Sequence, residues 1–167
     1  MQSNNELQIK LRKNRDTLKI VGSGVIAFGI WSVIKALLYS ELNMGTFLAS
    51  IEESPVLTEA MLKTAFRIII AIILLIDLAI RLFVGLSAIG EGRGKRKHYV
   101  YIAMAFLIAA VSFISVFFLI LKPGEDSSLL ELVVTLVIEV TSAVTLMQMC
   151  FSAIRVKKLY KQLAEAR

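Results

Sequence analysis

One cysteine, one histidine, one tryptophan and two prolines are all that 167 residues hold of the types that most often ligate metals, carry catalysis or break helices. With Cys150 alone, an internal disulfide, a Cys-based metal cluster and a CxxC redox pair are excluded. The one histidine, His98, lies outside every apolar run and reads as an interface residue, so no Ser-His-Asp set and no His-based metal spacing exists within them. Nucleotide motifs are also missing: the Gly-x-Gly in GEGRGKRKH follows no strand and lacks the Walker pattern. Neither metal nor cofactor is expected, and an enzyme acting on membrane lipid ranks third among the function classes, because nothing places a substrate beside a catalytic pair. Polar sequence is scarce too, leaving no room for a separate soluble domain.

What fills the chain is apolar. Hydrophobic residues make up 57% of it, with a mean hydropathy of +0.74, and a soluble fold would have to turn much of that surface to water. Four windows reach the length of about 20 apolar residues that a bilayer crossing requires, roughly 18–40, 66–90, 99–121 and 129–154. The expected fold is all-α: a polytopic membrane protein, built as a four-transmembrane-helix antiparallel bundle of two hairpins. A basic segment, 1–17, precedes the membrane domain at 18–154, and a basic tail, 155–167, follows it. The first apolar run begins after a charged stretch and is too long for a signal h-region, so span one is expected to be a permanent helix.

The net charge of +6 is unevenly spread. Lys10, Arg12, Lys13, Arg15 and Lys19 precede span one, Arg93, Lys95, Arg96 and Lys97 separate spans two and three, and Arg155, Lys157, Lys158, Lys161 and Arg167 follow span four. The other two connections carry mostly carboxylates. By the positive-inside rule both termini and the middle loop are cytoplasmic, with the plasma membrane the expected location. This distribution sets topology and does not suit nucleic acid. Arg93, Lys95, Arg96 and Lys97 are placed to meet anionic lipid headgroups.

Several local patterns refine the picture. Leu7, Leu11 and Leu18 suggest a helix that either lies on the membrane surface or runs straight into span one, and a solvated basic arm that only sets orientation fits the segment at least as well. Gly22, Ser23, Gly24, Ala27 and Gly29 give span one a face nearly free of side chains, suited to close helix contact. In the first outer loop Met44, Phe47, Leu48 and Ile51 follow helical spacing, so a short amphipathic helix is expected there, ended at Ser54-Pro55. Tyr99 and Tyr101 fit an aromatic belt. Span three carries no charge and reads as scaffold, with Ala105 and Ala109 as a small-residue contact. After Lys122-Pro123-Gly124, Ser128 and Glu131 form a capping box for span four.

The candidate site is a set of charges inside the spans. Asp77 and Arg81, at i and i+4, share a face with Leu74, Gly85 and Ala88, which should point into protein. With the spans antiparallel, Asp77 lies about 16 Å and Glu139 about 14 Å below the outer boundary. Lys35 lies further out, where it either joins the network or snorkels to the interface. Span four carries two polar stripes: Thr135, Glu139 and Ser142, and, roughly half a turn away, Thr141, Thr145, Gln148 and Ser152, open to a partner unless hydroxyls bond back to their own helix. Two accounts fit. Asp77, Arg81, Glu139 and Lys35 form a fixed clasp in a small accessory protein, which assembles as a homo-oligomer or in a larger membrane complex through intramembrane polar faces. Alternatively, the carboxylates exchange protons or bind cations in a transporter or channel subunit.

Overall fold

The computed structural model describes residues 2–42, 45, 59–95, 98–121 and 129–165. Four helices account for nearly all of them: α1 (Gln2–Leu42), α2 (Glu59–Gly92), α3 (Val100–Leu121) and α4 (Leu129–Glu165). Each is long and apolar enough to cross a membrane, and neither proline falls inside one. Such runs must become helices in hydrocarbon, where only intrachain hydrogen bonds can satisfy the backbone. The expected loop helix over Met44–Ile51 lies outside the described residues apart from Gly45, as do the Ser54-Pro55 break, Arg96, Lys97 and the Ser128 end of the capping box.

Contacts between α1 and α2 run in opposite directions along the two helices. Arg15 meets Gly92, Gly22 meets Gly85, Gly29 meets Arg81, and Glu41 meets Arg67. The pair is an antiparallel hairpin, and α3 with α4 forms the second. The hairpins join mainly through α1 and α4; α2 touches α3 lightly and α4 scarcely at all. The result is a four-helix ring with one loosely closed edge, between α2 and α3.

Close approach explains Gly22 of α1 and Gly85 of α2. A Cβ on Gly85 would come within 2.8 Å of the Gly22 carbonyl oxygen and 2.6 Å of Ile26 Cγ1, while one on Gly22 would meet the Gly85 carbonyl at 2.9 Å. The backbones therefore touch where both side chains are missing, as packing-driven association in lipid favours. Leu18, Val25, Val84 and Ala88 are buried beside this crossing.

Buried positions step along each helix by alternating fours and threes. On α1 these are Leu11, Leu18, Gly22, Val25 and Gly29; on α4, Ser142, Leu146, Met149, Ala153 and Val156; on α3, Ala105, Ala109, Ser112 and Val116. That 3.5-residue period is the seam of helices packed at a shallow angle. Outside it the surface is apolar: Ile68, Ile69, Ile72, Ile73, Leu75 and Ile76 of α2, and Phe106, Leu107, Phe113, Phe117 and Phe118 of α3, are exposed. Acyl chains, not water, are the solvent for such a surface.

Three helices overshoot the bilayer, α1 and α4 the furthest. The 41 residues of α1 span about 60 Å at 1.5 Å each, against a hydrocarbon core of about 30 Å. The 37 residues of α4 reach nearly as far, and both project from the same end. Their extensions pack on each other, burying Leu11 and Val156, with Leu159, Tyr160 and Leu163 against the same core. The N-terminal segment thus runs straight into span one. At this end the α2–α3 turn is pinned where Arg15 Nε donates to the Gly92 carbonyl at 3.0 Å. Gly94, at φ +94°, completes the turn with the Arg15 guanidinium where a Cβ would stand. An L side chain there would meet both the backbone strain and the guanidinium.

Candidate functional site

One stripe of α2 carries most of the site. Asp77, Arg81, Val84, Ala88 and Glu91 recur at the seam spacing, so a single helix face presents charge at mid-membrane and again at the basic end.

At mid-membrane, Arg81 Nε donates to Asp77 Oδ2 at 2.9 Å and to Oδ1 at 3.2 Å. Gly29 of α1 makes the room: a Cβ there would lie 3.1 Å from both Cβ and Cδ of Arg81. The Arg81 side chain is 11% exposed, whereas Asp77 keeps 35% of its own exposed. On the other side of α1, Lys35 Nζ donates to Thr135 Oγ1 of α4 at 3.0 Å, so this ammonium reaches across to a helix instead of only rising to the interface. Lys35, Arg81, Glu139 and Ser142 line one small cavity of about 20 Å³ together with Trp31 and Ser32. That holds about one water molecule. Glu139 has no hydrogen bond or ion pair with any described residue. Three of the four expected charges therefore surround one cavity, and Asp77 touches it only through Arg81.

The second stripe of α4 lies closer to the first than half a turn. At about 100° per residue, Thr145 sits only about 60° from Ser142, and α1 packs against both. A Cβ on Gly24 of α1 would be 3.5 Å from Thr145 Cγ2, and Ser152 is buried. The Thr141 and Thr145 hydroxyls donate to the Val137 and Thr141 carbonyls, each at 2.7 Å. Half the stripe therefore faces this chain's own α1, and only Thr141 and Gln148 point outward.

A second polar cluster was not among the sequence expectations. Glu91, 2% exposed, accepts a hydrogen bond from the Tyr101 hydroxyl of α3 at 2.6 Å. Lys157 Nζ of α4 lies 3.6 Å from Glu91 Oε2 and 4.0 Å from the centre of the Tyr99 ring. This clasp ties α2, α3 and α4 together at the end where α2 is also buried against α1. It also turns Tyr101 inward, at 1% exposure, leaving Tyr99 alone as an interfacial aromatic. A carboxylate buried this deeply needs both a hydrogen bond and a countercharge, and it has both. Every side-chain nitrogen and oxygen that is wholly shut off from the surface among the described residues has a hydrogen-bond partner.

Arg93 and Lys95 are exposed at the same end, near the projecting helices. No protein-family model matches this chain, and neither a curated protein nor a solved structure is significantly similar to it.

Proposed function

We propose that this polytopic helical membrane protein is a small accessory protein that assembles with a second copy or a larger membrane partner through polar groups inside the bilayer. The observation that carries this reading is Asp77. Its side chain is 35% exposed at a depth where an acyl chain offers nothing to a carboxylate, and charge at the bilayer centre costs about 2.5–3.5 kcal/mol even on insertion scales. A polar group from another helix beside α2 relieves that cost. The protein is non-catalytic in this reading. Both termini face the cytoplasm, and exposed Arg93 and Lys95 rest against anionic headgroups. The test is Asp77→Leu with Arg81→Leu, which removes the pair without leaving an orphan charge. Particle size in nanodiscs and capture of co-purifying membrane proteins should both fall; an unchanged size together with unchanged capture contradicts assembly through this face.

One observation favours a second reading. Glu139, without a described partner and facing Lys35 and Arg81 across a cavity with room for about one water, suits a carboxylate that exchanges protons. The size of the cavity ranks this second, because a conduction path needs a continuous file of such spaces.

A further inference from the structure

We propose that the groove between α1 and α4 at the basic end of the bundle binds one anionic phospholipid. The groove has a volume of about 580 Å³, within the usual range of ligand sites. Its character changes along its length. Val144, Met147 and Phe151 form an apolar stretch on α4, while Lys13 of α1 and Arg155 of α4 stand at the outer end. A second depression of about 350 Å³ shares Asn14 and Arg155 with it and adds Lys10 and Lys158. Four cations line this continuous strip, no carboxylate does, and among the described residues none of the four is in an ion pair.

Between the two ends lie Ser152 and Gln148, both on the groove and both without a hydrogen-bond partner among the described residues. Along α4 they sit about 4.5 Å and 10 Å further into the membrane than Arg155. This order of groups is that of a phospholipid read inward: phosphate at Lys13 and Arg155, ester oxygens at the Ser152 hydroxyl and Gln148 amide, acyl chain on Val144, Met147 and Phe151. A soluble phosphate compound would leave the apolar stretch and the amide unused. An apolar partner helix would leave the cations unmatched. Gln148 is thereby satisfied by lipid, and the site is separate from Asp77, which lies on the opposite hairpin partner of α1.

The experiment is native mass spectrometry of the full chain released from detergent, titrated with palmitoyl-oleoyl phosphatidylglycerol or the phosphatidylcholine of the same chains. One phosphatidylglycerol adduct should be retained in preference to phosphatidylcholine by roughly tenfold or more, as two basic groups at a lipid surface supply. Lys13→Gln with Arg155→Gln should bring that ratio to within about twofold, while Arg12→Gln with Lys161→Gln, two exposed cations outside the groove, leaves it unchanged. Gln148→Leu should lower occupancy by both lipids and keep the preference. Equal retention of the two lipids overturns the proposal, as does an equal loss in the Arg12/Lys161 control, which is the mark of diffuse charge. Displacement of the adduct by millimolar glycerol 3-phosphate overturns it in favour of a soluble phosphate, and loss of oligomers instead of lipid in the Lys13/Arg155 variant overturns it in favour of a partner helix.

Discussion

Removing the Tyr101 hydroxyl should loosen the bundle far more than removing the neighbouring Tyr99 hydroxyl. In Tyr101→Phe the 2.6 Å bond to Glu91 disappears inside a site 1–2% exposed, and the carboxylate keeps Lys157 at 3.6 Å. A hydrogen bond to a buried charged group contributes about 1.5–3 kcal/mol, so the opening equilibrium should shift roughly ten- to hundredfold. The chain carries its own reporter: Cys150 is the one cysteine, 5% exposed, with its Sγ–H directed at the Ile102 carbonyl of α3 at 3.8 Å. Its rate of reaction with a maleimide in mild detergent measures separation of α3 from α4. The rate should rise roughly ten- to hundredfold in Tyr101→Phe and less than about threefold in Tyr99→Phe, whose ring is already largely exposed. In a Glu91→Gln background the same tyrosine change should cost only what a neutral bond is worth, about 0.5–1.5 kcal/mol. Equal rates for the two tyrosine variants, or the same Tyr101→Phe effect with and without Glu91, would refute the idea that a charge-assisted clasp holds this end.

The glycines of α1 and α2 separate in the same way. Gly85→Ala places a methyl 2.6 Å from Ile26 Cγ1 and should destabilise the bundle by about 1–3 kcal/mol, whereas Gly24→Ala meets only Thr145 Cγ2 at 3.5 Å and should be neutral or stabilising by up to about 1 kcal/mol; SDS or thermal unfolding in detergent orders the pair, and the reverse order would contradict the crossing. Lys35→Met and Thr135→Val should each weaken the α1–α4 contact, with a double-mutant coupling of roughly 1–2 kcal/mol. Strict additivity in unfolding free energy would mean that Lys35 points to the interface after all.

Much of the fold was legible because hydrocarbon leaves helices as the only economical answer to long apolar runs. The Gly22–Gly29 face and the Ala105/Ala109 contact announced themselves through side-chain size. Asp77 and Arg81 did so through spacing. Glu91 did not, since hydropathy stops counting at Gly90 and the next residues look like a polar turn. The signal was nonetheless there: Glu91 lies two heptads after Asp77 on the same seam, and Ala88 between them marks that seam as buried. A second gap was angular. The two polar stripes of α4 differ by too little to serve opposite neighbours, and the wide surface opened by glycines on α1 lets one helix cover both. The basic segments at each end of the chain gave no hint of being packed together, because charge dominates their composition; Leu11 on one side and Val156, Leu159, Tyr160 and Leu163 on the other record the contact.

We propose that the intramembrane charges hold helices together and do not carry ions. Purified protein can be reconstituted into vesicles with an internal pH-sensitive dye and placed under an imposed pH or potassium gradient. Dye responses should be no faster than those of protein-free vesicles, with wild-type and Glu139→Gln alike. Flux above that background in the wild-type, lost in Glu139→Gln, would contradict it and transfer the site to proton transport.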